Sequence, residues 1–174
     1  MDGEHVYIYG VEGMIHCLKA DTGKLVWSVN ANKDFNVIQN FFGVASVPAI
    51  EGDLLIAQVG GSPEGSLQRD LFNQTLKGKD SGVVAFDKHT GKVVYKISDE
   101  LASYSSPVVT TINGRRWCFV FARGGLLAFE PKTGKIDFHF PFRSEDVESV
   151  NASNPLSSAP RSFSPNVTAP AACF

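Results

Sequence analysis

Hydrophobic positions fall in runs of strand length, each bounded by a polar or glycine-containing turn: Val6-Tyr7-Ile8-Tyr9, Met14-Ile15-His16, Leu54-Leu55-Ile56-Ala57, Gly82-Val83-Val84, Trp117-Cys118-Phe119-Val120-Phe121 and Gly125-Leu126-Leu127. Runs of this length closed by turn residues predict many short β-strands and an all-β chain. Even the longest, such as Cys118 to Ala122, falls far short of the roughly 20 apolar residues a membrane-spanning helix needs.

The turns repeat. Cys17-Leu18-Lys19-Ala20-Asp21-Thr22-Gly23-Lys24, Ala85-Phe86-Asp87-Lys88-His89-Thr90-Gly91-Lys92 and Ala128-Phe129-Glu130-Pro131-Lys132-Thr133-Gly134-Lys135 align without gaps. Three residues after each lysine stands an aromatic: Trp27, Tyr95 and Phe138. An apolar strand, a turn whose glycine takes positive φ at no steric cost, and a second strand with an aromatic anchor together predict a β-hairpin. The Asp and Thr side chains are placed to bond turn amides.

A second element recurs as Ser46-Val47-Pro48, Ser106-Pro107 and Ser153-Asn154-Pro155, with proline tolerated at a strand's first residue. One unit then reads Ser-Pro strand, Gly turn, second strand, third strand, Thr-Gly-Lys turn, fourth strand: a four-stranded antiparallel blade. The Thr-Gly-Lys sites are 68 and 43 residues apart, and the shorter spacing matches the blade period of about 40 to 50. The longer one requires an insertion, Ser62 to Asp80, between second and third strands.

The motif Ala-x-Asp-x-x-Thr-Gly-Lys followed by an aromatic resembles the repeat of the pyrroloquinoline-quinone-type (PQQ-like, quinoprotein-like) β-propellers. That family includes quinone-dependent alcohol dehydrogenases and an outer-membrane assembly lipoprotein. The likeness is strongest at Ala85 to Tyr95. Glu130 replaces the Asp in one copy and Lys19 in another, although Trp27 is the family's preferred aromatic. WD40 repeats are disfavoured by the lack of Gly-His and Trp-Asp pairs, and kelch repeats do not explain Thr-Gly-Lys. The expected fold is a partial β-propeller of about three four-stranded antiparallel blades. Its divisions are an incomplete first blade at 1–30, a second at 31–98 with the insertion at 62–80, a third at 99–142, the start of a fourth at 143–156, and a disordered or aberrant tail at 157–174. The four prolines from Pro155 to Pro170 underlie the last expectation, that of a truncated or frameshifted reading of a longer protein.

In a propeller the loops from fourth to first strand and from second to third share one face, where ligands of the resembled family bind. Tyr104, Arg123 and Asn151 are its candidate ligand residues. Arg123 ends an apolar strand, so it suits an anion or, in the commoner use, a neighbouring blade's carbonyls. The residues Asp21, Thr22, Gly23, Trp27, Asp87, Thr90, Gly91, Tyr95, Thr133, Gly134 and Phe138 are structural, and no catalytic residue or metal ligand is assigned. Gly60 to Ser66 has the glycine spacing of a phosphate loop but lacks its Lys, and no His spacing suits a metal.

Lys plus Arg number 16 against 18 Asp plus Glu, a net charge of −2, which leaves no electrostatic footprint for nucleic acid. Three cysteines without Cys-x-x-Cys spacing support neither zinc nor a disulfide framework. The segment from Met1 shows no export signal as written, while the resemblance implies a periplasmic or exported protein. The expected function is a binding or scaffold module without catalysis and with no cofactor, partnered by the remaining blades of a longer protein or by another protein. The alternatives are a fragment of a quinone-dependent alcohol dehydrogenase, which would carry PQQ with calcium, and an outer-membrane protein assembly scaffold.

Overall fold

The computed structural model describes residues 1–143 and 150–156. The expected aberrant tail, and residues 144–149 of the expected fourth blade, lie outside the described residues. Among the described residues eleven strands form three antiparallel sheets in which consecutive strands are neighbours. The first holds β1 (His5–Tyr9), β2 (Met14–Lys19) and β3 (Leu25–Asn30). The second holds β4 (Ala49–Glu51), β5 (Leu54–Gln58), β6 (Val83–Asp87) and β7 (Val93–Ile97). The third holds β8 (Val108–Ile112), β9 (Arg115–Phe121), β10 (Gly125–Phe129) and β11 (Ile136–Pro141). A one-turn helix α1 (Ala31–Asp34) follows β3, and α2 (Gln68–Phe72) lies in the long connection between β5 and β6.

The three aligned segments build one local device. In each, the turn glycine has positive φ, +68° at Gly23, +72° at Gly91 and +73° at Gly134, a conformation costly for any residue with a Cβ. Its N–H donates to the carbonyl four residues earlier, on Lys19, Asp87 and Glu130. Each hairpin carries a register shift at the same place, Cys17/Leu18, Ala85/Phe86 and Ala128/Phe129. The small residue before the shift faces the aromatic: Cys17 opposite Trp27, Ala85 opposite Tyr95, Ala128 opposite Phe138.

Side chains alternate across a strand, so each sheet offers two faces. Ile15, Cys17 and Trp27 of the first sheet bury against Leu55, Ala57, Val84 and Phe86 of the second. The second sheet's other face, Ile56, Val83 and Ala85, packs on Cys118, Val120, Leu127 and Phe129 of the third. The central sheet is therefore covered on both sides, which is why Leu54 to Ala57 and Val83 to Phe86 read as unbroken apolar runs. By contrast β11 is exposed along its whole length.

Candidate functional site

The connections after β1, β3, β5, β7 and β9 meet at one end of the sheets and bond to one another. Val44 N–H and Gln39 Nε2 both donate to Val11 O, and Asn40 Nδ2 donates to Ala102 O at 2.7 Å. Asn30 caps the short α1, its side chain accepting from Lys33 N–H at 3.0 Å, and this turns the chain across toward Phe35. Phe35 O in turn accepts from Ser62 N–H. In the insertion, the Asp70 carboxylate accepts from Leu67 N–H at 2.8 Å and starts α2.

The three candidates of this face are brought together. Arg123 is buried and its guanidinium donates to Asn40 Oδ1 at 2.6 Å, while its backbone N–H donates to Leu101 O. Burial, reinforced by the charge of Arg143, lowers its pKa. Asn151 Nδ2 donates to Ala122 O at 2.8 Å and also lies near Arg123 O and Phe142 O. Asn151 O accepts from Tyr104 N–H at 2.9 Å, and the Tyr104 hydroxyl accepts from Phe42 N–H at 2.9 Å. The Arg123–Asn40 and Tyr104–Phe42 bonds tie together connections that flank different sheets, while the Asn151 side chain ties together two connections of the third sheet.

Residues that sequence reasoning missed complete the network. Gln58, fully buried at the end of β5, accepts from Ser103 N–H, and the Ser103 and Ser105 hydroxyls both donate to Phe121 O. The serines lie beside Ser106-Pro107, a recurrence that points toward them. Asn40 had no such signal, because its partner Arg123 is 83 residues away. An open recess of about 330 Å³ lies alongside, bordered by Lys77, Asp99, Glu100, Arg123 and Arg143. Its carboxylates are engaged by protein donors: Glu100 accepts from Gly124 N–H at 2.7 Å and meets His139 at 2.9 Å, and Asp99 accepts from Asp80 N–H at 2.7 Å.

The structural motif residues occupy the opposite end. Asp87 Oδ1 accepts from Thr90 N–H and Thr90 Oγ1, both at 2.8 Å, and from His89 N–H at 3.1 Å, and these bonds, led by the hydroxyl's, hold its pKa below the ordinary value. In the other turns Thr133 donates to Glu130 and Thr22 to Asp21. Trp27 Nε1 donates to Lys88 O at 2.9 Å and Tyr95 to Pro131 O at 2.7 Å, so each aromatic reaches the next sheet's turn. The bidentate pair of Arg116 with Glu51 also joins the second and third sheets.

Among the described residues no three His, Cys, Asp or Glu side chains converge to hold a metal ion. Cys17 and Cys118 are separately buried, and no two cysteines adjoin in the sequence. No helix among the described residues is long and apolar enough to cross a membrane.

Residues 1–169 match the family model described as outer membrane protein assembly factor BamB. No curated protein matches the chain. Among solved structures, the quinohemoprotein alcohol dehydrogenase ADHIIG from Pseudomonas putida HK5 superposes with a TM-score of 0.51 at 15% identity, over 79% of this chain and 19% of that one. BamB from Moraxella catarrhalis gives 0.49 at 15% identity, over 79% of this chain and 33% of that one. The chain thus spans a third or less of the length of these structures, and the likeness to the dehydrogenase is one of fold.

Proposed function

The chain belongs to the family described as outer membrane protein assembly factor BamB, a PQQ-like repeat family, and from that membership we propose that it works as a binding or scaffold module of a larger β-propeller. The observation that carries this reading is the use made of the loop face. Arg123, Asn151 and Tyr104, the side chains suited to a ligand there, engage the surrounding connections, Arg123 through Asn40, Asn151 through Ala122 and Tyr104 through Phe42. A face knitted in this way presents shape and apolar surface to a macromolecule. The remaining blades are its first partners, and an exported or periplasmic compartment suits the family's outer-membrane description; fractionation of cells carrying the native gene tests the latter.

A fragment of a quinone-dependent alcohol dehydrogenase is the competing reading. Titration of the protein with pyrroloquinoline quinone and calcium, followed by tryptophan fluorescence and dye-linked alcohol oxidation, separates the two. The scaffold reading expects neither saturable uptake nor oxidation, and stoichiometric uptake with turnover overturns it. The family's description further favours outer-membrane protein assembly as the process served. Cells lacking this chain should then hold less outer-membrane β-barrel protein, and unchanged levels argue against that role.

A further inference from the structure

The first and second sheets share a further recess at the loop end, of about 400 Å³. Lys33 and Asp34 of α1, with Phe35 and Asn36 at its exit, form one wall, and the insertion with Lys96 of β7 forms the other. Both walls belong to this chain and to sheets already stacked on each other, so the recess needs no further blade to take shape. The stretch from Gly60 to Ser66, with the glycine spacing of a phosphate loop but no lysine, lines it at Ser62 and Glu64. The fold supplies lysines from elsewhere: Lys33, Lys79 and Lys96 arrive from three separate segments.

The backbone around the recess is fixed. Ser62 N–H donates to Phe35 O at 3.2 Å, Asn36 Nδ2 donates to Pro63 O, and Lys79 N–H donates to Gly61 O at 2.9 Å. Phe35 packs edge-on against the core ring of Phe86. At Gly61 an added Cβ would come within 2.4 Å of Phe35 O, so the two walls touch there. Ser62 is only 5% exposed, and its hydroxyl has no hydrogen-bond partner in the protein. A buried hydroxyl left in this state carries a desolvation cost that a bound polar group removes.

The charges point to the nature of that group. Lys33, Lys79 and Lys96 line a recess that Asp34, Glu64 and Asp80 also line. Elsewhere on the surface opposite charges close into pairs, as Lys88 does with Asp2, Arg115 with Asp137 and Arg116 with Glu51. Among the described residues none of the six in the recess is ion-paired. An anion alone would be drawn by the lysines and opposed by the carboxylates, and a cation alone would meet the reverse. An uncharged ligand would strip water from ionised groups and return nothing for it. A ligand that carries both signs gains charge-assisted hydrogen bonds from each set.

We infer that this recess binds a small zwitterion of the α-amino acid class, its carboxylate among the lysines and its ammonium among Asp34, Glu64 and Asp80, with the Ser62 hydroxyl as a further partner. The class covers a free amino acid and a dipeptide, whose termini carry the same two groups at different separations, and the volume admits either. The site stands apart from the scaffold reading, since none of the six charged residues takes part in the Arg123 or Asn151 bonds.

The test is a titration of the full chain followed by amide NMR, with L-alanine and L-alanyl-L-alanine as zwitterions and acetate and ethylammonium as their single-charge halves. A zwitterion should shift the amides of Ser62, Lys79 and Ser81 saturably, with an affinity at least tenfold above either half, and the tighter of the two gives the ligand's length. Neutralising each set at constant size then separates the ligand classes by sign. Lys33→Gln with Lys79→Gln, and Asp34→Asn with Asp80→Asn, should each weaken zwitterion binding at least threefold, and Ser62→Ala should weaken it as well. The four charged positions are exposed, and asparagine accepts the left-handed backbone at position 80 as aspartate does, so the variants should keep the wild-type far-ultraviolet circular dichroism. Binding that strengthens when the carboxylates are neutralised would mark an anion site, and binding that strengthens when the lysines are neutralised a cation site. Either result overturns the inference, as does the lack of a saturable shift with both zwitterions.

Discussion

The indole of Trp27 covers Gly91 while its N–H bonds Lys88 O at 2.9 Å, so one side chain joins the first two sheets by packing and by a hydrogen bond. Trp27→Ala should cost about 3–5 kcal/mol, because a large buried side chain is removed from a junction that cannot collapse. Trp27→Phe keeps most of the packing and should lose about 1 kcal/mol with the hydrogen bond. Gly91→Ala should cost about 1–3 kcal/mol, since the methyl group meets the ring and the residue keeps φ near +72°. Urea unfolding of the three variants checks the order; equal losses for the phenylalanine and alanine variants would mean that the ring's packing is immaterial.

Asp87 supplies a pH dependence with a definite sign. Its carboxylate accepts three bonds in the turn, led by Thr90 Oγ1, and its pKa is lowered from the ordinary 3.8. A carboxyl with a lowered folded-state pKa adds stability that is fully present above 3.8 and disappears as the pH falls through the folded value. Asp87→Asn should flatten the melting temperature's decline below pH 4 and lower it at pH 7. A wild-type profile retained in the variant would assign the acid limb to other carboxylates.

The strands and hairpin turns were legible because they rest on local rules: alternation, a glycine at positive φ, and an aromatic at fixed spacing from it. The covered state of the central sheet was also written in the sequence, in the unbroken apolar runs of β5 and β6. The loop face was less so. Arg123 could be named from its position at a strand end, but its acceptor is Asn40, and Gln58 bonds Ser103 across 45 residues. Such partners meet only after the sheets have stacked, so no local spacing announces them. The same holds for α2, whose five residues are too few for a helical pattern to register and whose start depends on Asp70 bonding Leu67 N–H.

Gln58 is a buried amide whose carbonyl holds Ser103 N–H. Gln58→Leu fills a similar volume but leaves that N–H unpaired among buried groups, a loss of about 1–3 kcal/mol. Amide hydrogen exchange at Ser103 should accelerate along with the drop in stability. If neither changes in the leucine variant, the bond does not hold the connection between β7 and β8 against the second sheet.

Arg123 and Asn40 can be assigned to structure or to ligand capture by their energetic coupling. The guanidinium donates to Oδ1 at 2.6 Å from a buried position, and a hydrogen bond from a charged donor contributes about 1.5–3 kcal/mol. In a double-mutant cycle with Arg123→Met and Asn40→Ala, the coupling should therefore fall near this range. It should also change little between low and high salt, because buried charges are poorly screened. A side chain kept for an incoming anion behaves differently: its neutralisation relieves a desolvation cost, leaving stability unchanged or raised, and its coupling to Asn40 is close to zero. Loss of stability in both single variants with strong, salt-insensitive coupling supports the structural tie, whereas a stabilised Arg123→Met would return the loop face to candidacy as an anion site.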